Sequence, residues 1–334
     1  MAIKTALVTG GNGFVGCYVV RALLKRGDRV RVFAREKSDL AALAGLDVEI
    51  ARGDLRDYGA VERAANGCDE VYHVAADYRL WLIDPAPMYA ANVEGTKNVL
   101  RAAQAAGVKR IVHTSTVGTL GIPHDRPGRE DTPSSLDAMI GHYKRSKYMA
   151  EQAVLEAARA GVPVVIVNPS TPIGALDLKP TPTGRIIAEF IAGRMPAYVD
   201  TGLNLVDVED CAQGHLLAAE RGKIGEKYIL GGENLTLKDF LGRLGGRAGL
   251  PAPKIRIPYA VAFGFALGAE AVARTITRRP PRASLTEVRM SRHRMFFDSS
   301  KARAELGYAP GPIDAALGRA IEFFRTRNAE ARAA

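Results

Sequence analysis

Short apolar, β-branched runs recur along the first half of the chain, and each is followed by a stretch with apolar positions at helical spacing. The runs are TALVTG (Thr5–Gly10), RVRVF (Arg29–Phe33), DVEIA (Asp47–Ala51), EVYHVAA (Glu70–Ala76), RIVHTS (Arg110–Ser115) and VPVVIVN (Val162–Asn168). They do not alternate apolar with polar, so each is expected to be a strand covered on both faces. The segments between them carry helix stop signals. VVRALLKRG ends on Lys25 and Arg26 before Gly27, which places cations on a last turn and a glycine just past it. GTKNVLRAAQAAG stops at Gly107 and MAEQAVLEAARAG at Gly161. Repeated strand–helix–strand units predict an α/β fold, a doubly wound parallel sheet with right-handed crossovers.

The rhythm breaks after Asn168. PSTPIGALDLKPTPTG is rich in Pro, Thr and Gly and is expected to be a long functional loop. The expected organisation is a nucleotide-binding domain over 1–170, with 204–222 returning to it. Residues 171–334 form mainly a smaller substrate-binding lobe closed by the C-terminal helix PIDAALGRAIEFFRTR. The most apolar segment, Tyr259 to Ala273, is expected to be too short, and too interrupted by Gly264, Gly268 and Glu270, to span a bilayer.

Composition narrows the setting. The 334 residues are 47% hydrophobic and 25% charged, which is globular. Cys17, Cys68 and Cys211 are widely spaced, with no metal-ligand pattern. They suit a reducing, cytoplasmic setting, and no metal is expected. The formal charge of +10 is either a solvated basic surface or an attraction to anionic nucleotides or membranes. Basic residues are spread out except in RTITRRPPR (Arg274–Arg282), and no aromatic-interleaved stripe points to nucleic acid.

The first strand runs straight into GGNGFVG. Gly10, Gly13 and Gly16 are spaced G-x-x-G-x-x-G, with Gly11, Asn12, Phe14 and Val15 between them. A pyrophosphate needs close backbone approach, free N–H groups and the positive end of a helix, and a strand–glycine–helix junction offers all three. The alternative is a tight turn with no ligand. This is the signature of a Rossmann-type nucleotide fold. In an NAD-binding version an acidic side chain at the end of the second strand accepts from the ribose. Here Ala34 holds that place and Arg35 follows. A guanidinium would grip a 2′-phosphate, so NADP is favoured with NAD possible. Alternatively Arg35 only covers the strand end, or Glu36 reaches the ribose. Asp54 and Leu55, after the third strand, are expected near the adenine.

GHYKRSKYMAEQAVLEAA is a helix carrying Tyr143 and Lys147 at i and i+4, on one face. A free phenol titrates near 10, and a nearby ammonium favours the phenolate. Bringing it to about 7 needs roughly 4 kcal/mol. A unit charge about 4 Å away supplies about that much at an effective dielectric of 20, so one lysine, helped by a cationic nicotinamide, is expected to suffice. VHTSTVGTLG adds the Ser115 and Thr116 hydroxyls at the sheet edge, as substrate donors or turn caps. Asn92 either orders a water beneath Lys147 or satisfies helix backbone. Tyr78, Arg79, Trp81 and Thr183, from ADYRLW and KPTPTG, are candidate substrate lining, with Trp81 alternatively a core residue.

In order and spacing, TGGNGFVG, GDL, HVAA, NVEGT, TSTVGTLG and YKRSK resemble the extended short-chain dehydrogenase/reductase superfamily. The likeness is to its dihydroflavonol-reductase-like branch. VYHVAADYRLW, VNPSTPIG and MPAYVDTGLNLV more narrowly resemble bacterial hopanoid-associated sugar epimerases. The resemblance implies that Tyr143 is the acid/base, and that Lys147 lowers its pKa and holds the nicotinamide ribose. It implies that Thr116 is the substrate-hydroxyl donor with Ser115 as fallback. Val74, Ala75, Ala76, Asn92, Pro169 and Thr171 would line the cofactor. A homodimer through the helices holding Leu100 and Tyr143 is also implied. Three positions depart from the pattern: Thr116 for the commoner serine, Ala34-Arg35 for an acid, and Asp207 where relatives often have histidine.

Three functions compete. One is an NADP-dependent reductase or dehydrogenase acting on a ketone or secondary alcohol. Another is an epimerase of a sugar or hopanoid side chain that returns the hydride to the other face. The third is a non-catalytic nucleotide sensor, which would not need Tyr143, Lys147 and Thr116 together. The partner is a small molecule, and the apolar run with its basic loop could also touch a membrane.

Overall fold

The computed structural model describes residues 3–333. The strands are β1 (Thr5–Thr9), β2 (Arg29–Ala34), β3 (Glu49–Arg52), β4 (Glu70–His73), β5 (Arg110–Thr114), β6 (Val164–Pro169), β7 (Thr171–Ile173), β8 (Ala197–Val199), β9 (Gly202–Asp207), β10 (Lys227–Leu230), β11 (Glu233–Thr236), β12 (Ile255–Ile257) and β13 (Arg294–Met295). The helices are α1 (Phe14–Arg26), α2 (Tyr58–Ala65), α3 (Ala86–Tyr89), α4 (Gly95–Ala105), α5 (Gly141–Arg159), α6 (Pro182–Ile191), α7 (Val208–Arg221), α8 (Leu237–Ala248), α9 (Tyr259–Val272), α10 (Leu285–Met290), α11 (Ser300–Leu306) and α12 (Asp314–Ala333).

Seven parallel strands form the main sheet in the order β10-β6-β5-β4-β1-β2-β3. The chain starts in the middle, moves outward to β3, then returns to the other side of β1 and continues to β10. That reversal between β1 and β4 opens a crevice at the carboxyl ends of the strands. Strand residues alternate between two buried faces, as doubly covered strands must. Ala6 and Val8 pack with α1 and α7, while Leu7, Val71 and Ile111 pack with α2, α4 and α5. The expected strands that ran to Gly10, Ala76 and Ser115 end earlier, because those residues leave the ladder to form the crevice loops. β10 was not among the six anticipated strands. Its apolar core is brief, between Gly225 and Gly231, and pairing with β6 is what makes it a strand.

In the smaller lobe β9 pairs with β7, β11 and β13. Ile187, Phe190, Leu205, Phe240, Leu317 and Phe324, from β9, α6, α8 and α12, form its separate core. Asp207 ends β9 and caps α7, accepting from the Glu209 N–H at 3.0 Å and from Arg319 at 2.5 Å. Its departure from the family pattern is therefore structural. The apolar run from Tyr259 is longer than expected. A π turn continues α9 to Thr277, giving 19 residues of mean hydropathy 1.3. By length and composition alone that suffices to cross a membrane, which corrects the expectation that it was too short.

At the opposite end of the sheet from the crevice, Glu70 is buried at the start of β4. It accepts from Lys4 Nζ (2.5 Å), Arg26 Nη2 (2.8 Å) and Tyr72 Oη (2.8 Å). Arg26, on the last turn of α1, also pairs with Asp28 and Glu220. Burial pushes the Glu70 carboxyl up, and the three hydrogen bonds outweigh it, leaving it below 4.5. Its contribution to stability is therefore full above 4.5 and is lost as pH falls through the lowered value. Arg26→Met should cost about 3 kcal/mol at pH 7, because a buried carboxylate loses a partner. Denaturant melts should show the gap between variant and parent narrowing as the pH is lowered past 4.5.

Candidate active site

The chain turns out of β1 at Gly10, where φ is +69°. A Cβ there would lie 2.7 Å from the Ala75 Cα, and one on Gly16 would lie 2.1 Å from the Gly10 carbonyl oxygen. Strand end, turn and helix are thus in backbone contact, which no side chain tolerates. Gly11 packs similarly against Val32. Gly13 is the N-cap of α1, with no side-chain cap and no acid in the first turn. The amides of Phe14, Val15 and Gly16 form the positive end of that helix. Asn12 turns its amide to the Asp39 carbonyl at 3.0 Å. Val74 and Ala75 continue past β4, their N–H groups donating to Thr9 O and Oγ1 (3.2 and 3.3 Å). Ala76 follows, partly exposed. This Cβ-free, uncapped cradle fits a pyrophosphate.

The adenosine end of a dinucleotide would meet the end of β2. Arg35, Glu36 and Lys37 are exposed there. Arg52 Nη1 donates to the Arg35 and Glu36 carbonyls at 2.8 and 3.2 Å, so a second guanidinium lies at the same corner. The Asp54 carboxylate is held by Arg56 at 2.9 and 2.7 Å, which draws it below its usual range. Leu55 packs against Gly95, where a Cβ would come within 2.9 Å of it.

Tyr143, Lys147 and Glu151 follow one another at four-residue steps on α5. Lys147 is buried and donates from Nζ to the Thr114 carbonyl at 2.7 Å. Burial pulls it down to about 8, against the nearby Glu151 carboxylate, which pushes it up. The half-buried Tyr143 phenol is pushed up to about 12 by burial, with the Thr116 hydroxyl pulling it partly back. The expectation that Lys147 brings the phenol toward neutrality counts on a cationic nicotinamide beside it, and the protein's own groups alone do not supply that shift. Stripping water from a phenolate raises its pKa, and the Thr116 hydroxyl returns only part of that shift. His73 and His113 lie close by, their rings 5.3 Å apart. His73 is hydrogen-bonded to Thr9 Oγ1 (2.7 Å) and Thr96 Oγ1 (2.9 Å). Burial, then the Lys147 charge, pulls it down to about 3, and His113 also falls well below its usual value.

The two hydroxyls after β5 are separated by their partners. Ser115 is buried and donates to the Glu151 carboxylate, so it is withdrawn as a substrate donor. Thr116 stays partly exposed, accepts from the Gly118 N–H at 3.1 Å and interacts with the Tyr143 phenol. Glu151 also accepts from Thr119 Oγ1 and Asn168 Nδ2, both at 2.9 Å, and Asn168 donates to the Thr116 carbonyl at 3.0 Å. Glu151 thereby clamps the β5 turn to α5. The sequence reading missed it. Its signal was a carboxylate two turns beyond Tyr143, on the helix's buried face. Lys144 was missed too. It is buried, pulled down to about 8, and its Cε and Thr116 Oγ1 each lie 3.3 Å from where a Gly118 Cβ would sit.

Other expected residues are placed less directly. Asn92 has its amide fully engaged. It accepts from the Asp77 N–H (2.7 Å) and donates to the Asp77 carbonyl and Ser146 Oγ (both 2.9 Å). It fixes the loop after β4 to α5. Tyr78 donates to the Lys179 carbonyl at 2.9 Å, joining that loop to the segment before α6. Arg79 is taken up by an ion pair with Asp77. Thr183 is buried in the first turn of α6. Pro169 ends β6 beside Leu230, and Thr171 opens β7 opposite Leu205.

The NAD dependent epimerase/dehydratase family matches residues 6–231, from β1 to just past β10. A protein of Synechocystis provisionally named dihydroflavonol 4-reductase is 46% identical over 95% of this chain and 94% of its own. Sterol demethylase protein B of Methylococcus capsulatus is 38% identical over 97% and 99%. The crystal structure of a nucleoside-diphosphate-sugar epimerase from Pseudomonas aeruginosa superposes with a TM-score of 0.80, at 31% identity, over 98% and 99% of the two chains. With its Rossmann-type sheet, glycine cradle and Tyr-x-x-x-Lys helix, the chain belongs to the NAD dependent epimerase/dehydratase family, in the dihydroflavonol-reductase-like branch of the extended short-chain dehydrogenases/reductases, and is an NAD(P)-dependent oxidoreductase.

Proposed function

We propose that this enzyme is an NADP-preferring reductase of a ketone, with Tyr143 as its general acid. The observation that carries the reading is the grouping of the Tyr143 phenol, the Thr116 hydroxyl and Lys147, anchored on the Thr114 carbonyl, at the crevice beside the glycine cradle. Bound NADPH supplies the hydride. Thr116 orients the substrate oxygen, and Tyr143 gives it a proton as it becomes an alkoxide. An alkoxide is far more basic than a phenolate, so the transfer is downhill even from a phenol near 12. Lys147, anchored on the Thr114 carbonyl, offers a cation to a ribose hydroxyl and to the phenolate left behind. Glu151 is a positioning residue. It keeps the β5 turn, and so Thr116, in register with Tyr143.

Arg35 and Arg52 support NADP over NAD, since two guanidiniums at the corner, with Ala34 rather than an acid ending β2, favour a 2′-phosphate. The name of the Methylococcus relative, sterol demethylase protein B, is the reason to try sterol-derived substrates first. The name of the Pseudomonas structure favours a second reading, a sugar epimerase with the same groups. An epimerase would retain its nucleotide through purification and show no net oxidation of added NADPH.

Arg35→Ser should raise the NADPH dissociation constant roughly 10- to 150-fold, the worth of one charge-assisted contact. NADH binding should barely change. Titration by fluorescence reads both, and an equal loss for the two nucleotides would refute the NADP preference. Tyr143→Phe should lower kcat/KM by about 10²–10⁴ while leaving NADPH affinity near the parent value. Turnover at the parental rate would remove Tyr143 from the chemistry. Glu151→Gln takes away the charge that holds Lys147 up. It should lower kcat and move the Lys147-dependent limb of the pH–rate profile to lower pH, whereas a purely structural role would leave that limb in place.

A further inference from the structure

The face of α9 and the arginine loop after it are built unlike the rest of the surface. Ala266, Glu270 and Ala273 are buried and form one stripe of the helix. The other side carries Val261, Phe265, Val272 and Ile276 into solvent, with Phe265 58% and Ile276 74% exposed. These fall at spacings of four, seven and four residues, a single helical stripe. Gly264 and Gly268 deepen the surface into an open apolar cleft of about 610 Å³, rimmed by Arg279, Pro280, Pro281 and Arg282. A contiguous apolar surface rimmed by polar groups marks an interaction site.

We propose that this face docks in the plane of an anionic lipid bilayer. Charge selects the occupant. Between 259 and 283 there are four arginines and one carboxylate, Glu270. Glu270 is turned inward to Arg274 and to the Leu285 N–H at 3.0 Å. Arg278 and Arg279 are exposed and make no salt bridge among the described residues. Apolar side chains flanked by unpaired arginines match acyl chains beneath anionic headgroups. A second copy of the chain is a poor match, because a two-fold contact through this face would set the arginines against their own copies. The Glu270 contacts hold α9 against α10, so the helix presents a face to lipid and does not thread it.

The docked edge adjoins the catalytic elements. Arg274 lies over the Trp81 ring at 6.0 Å, on the loop that carries Tyr78. Thr286 of α10 sits against Gly141 at the start of α5, 2.6 Å from where a Cβ would be. Binding therefore brings the Trp81 loop and the catalytic helix to the lipid surface.

The test is flotation of the full chain with phosphatidylcholine vesicles, with and without phosphatidylglycerol. The protein should float with the anionic vesicles, stay behind with phosphatidylcholine alone, and release as salt is raised from 0.1 to 1 M. Phe265→Asp with Ile276→Asp should lower partitioning at least about tenfold, and Arg278→Gln with Arg279→Gln roughly 25-fold. All four side chains are exposed, so melting temperatures should stay near the parent's and separate lost docking from lost folding. Failure to float with anionic vesicles overturns the proposal, as does equal flotation of the variants. Light scattering that shows a parental dimer broken by Phe265→Asp would also overturn it, by assigning the face to a second copy.

Discussion

The approach of Gly10 to Ala75, backbone against backbone, is the constraint on which the site depends. It requires the end of β1 and the continuation of β4 to diverge from a single point. The reversal of strand order places those two strands side by side, and the missing Cβ lets the turn between them close. Gly16 repeats the condition one helical turn on. Without both, α1 could not aim its uncapped amides into the crevice that Tyr143 and Lys147 of α5 adjoin.

The polar interior around α5 follows a simple electrostatic plan. His73 and His113 are kept neutral, so Lys147 is the cation next to the crevice at the Thr114 carbonyl. Glu151, a single buried carboxylate, opposes it across the β5 turn and engages Ser115, Thr119 and Asn168 together. A buried carboxylate with three donors is inexpensive to keep and costly to disturb. That explains why Ser115 is a structural hydroxyl and its neighbour Thr116 is left to the crevice.

The smaller lobe obeys looser rules. Its core is separate from the sheet and its strands are short, yet it is tied to the nucleotide-binding body at several places: Tyr78 to the Lys179 carbonyl, Arg221 to the Leu306 carbonyl, Tyr228 to Glu305, and Phe297 packed with Val117 and Leu120. α9 lies on the outside of this lobe, with Val261, Phe265 and Ile276 exposed.

Much of this was legible in the sequence. Unbroken apolar runs between glycine-stopped helices can only make a doubly covered parallel sheet, and a glycine triplet at a strand–helix junction has few other uses. Tyr143 and Lys147 were readable because four residues on a helix fix two side chains on one face. Tertiary structure decided what local spacing cannot encode. It recruited Lys227–Leu230 into the sheet, left the Thr116 hydroxyl to the crevice while Ser115 bonds Glu151, and set Asn92 between the loop after β4 and α5. It also placed the phenol of Tyr143 under the control of burial, although its sequence neighbour is an ammonium. Spacing says which residues share a face, but the distance between faces, and the water excluded there, exists only once the chain has packed.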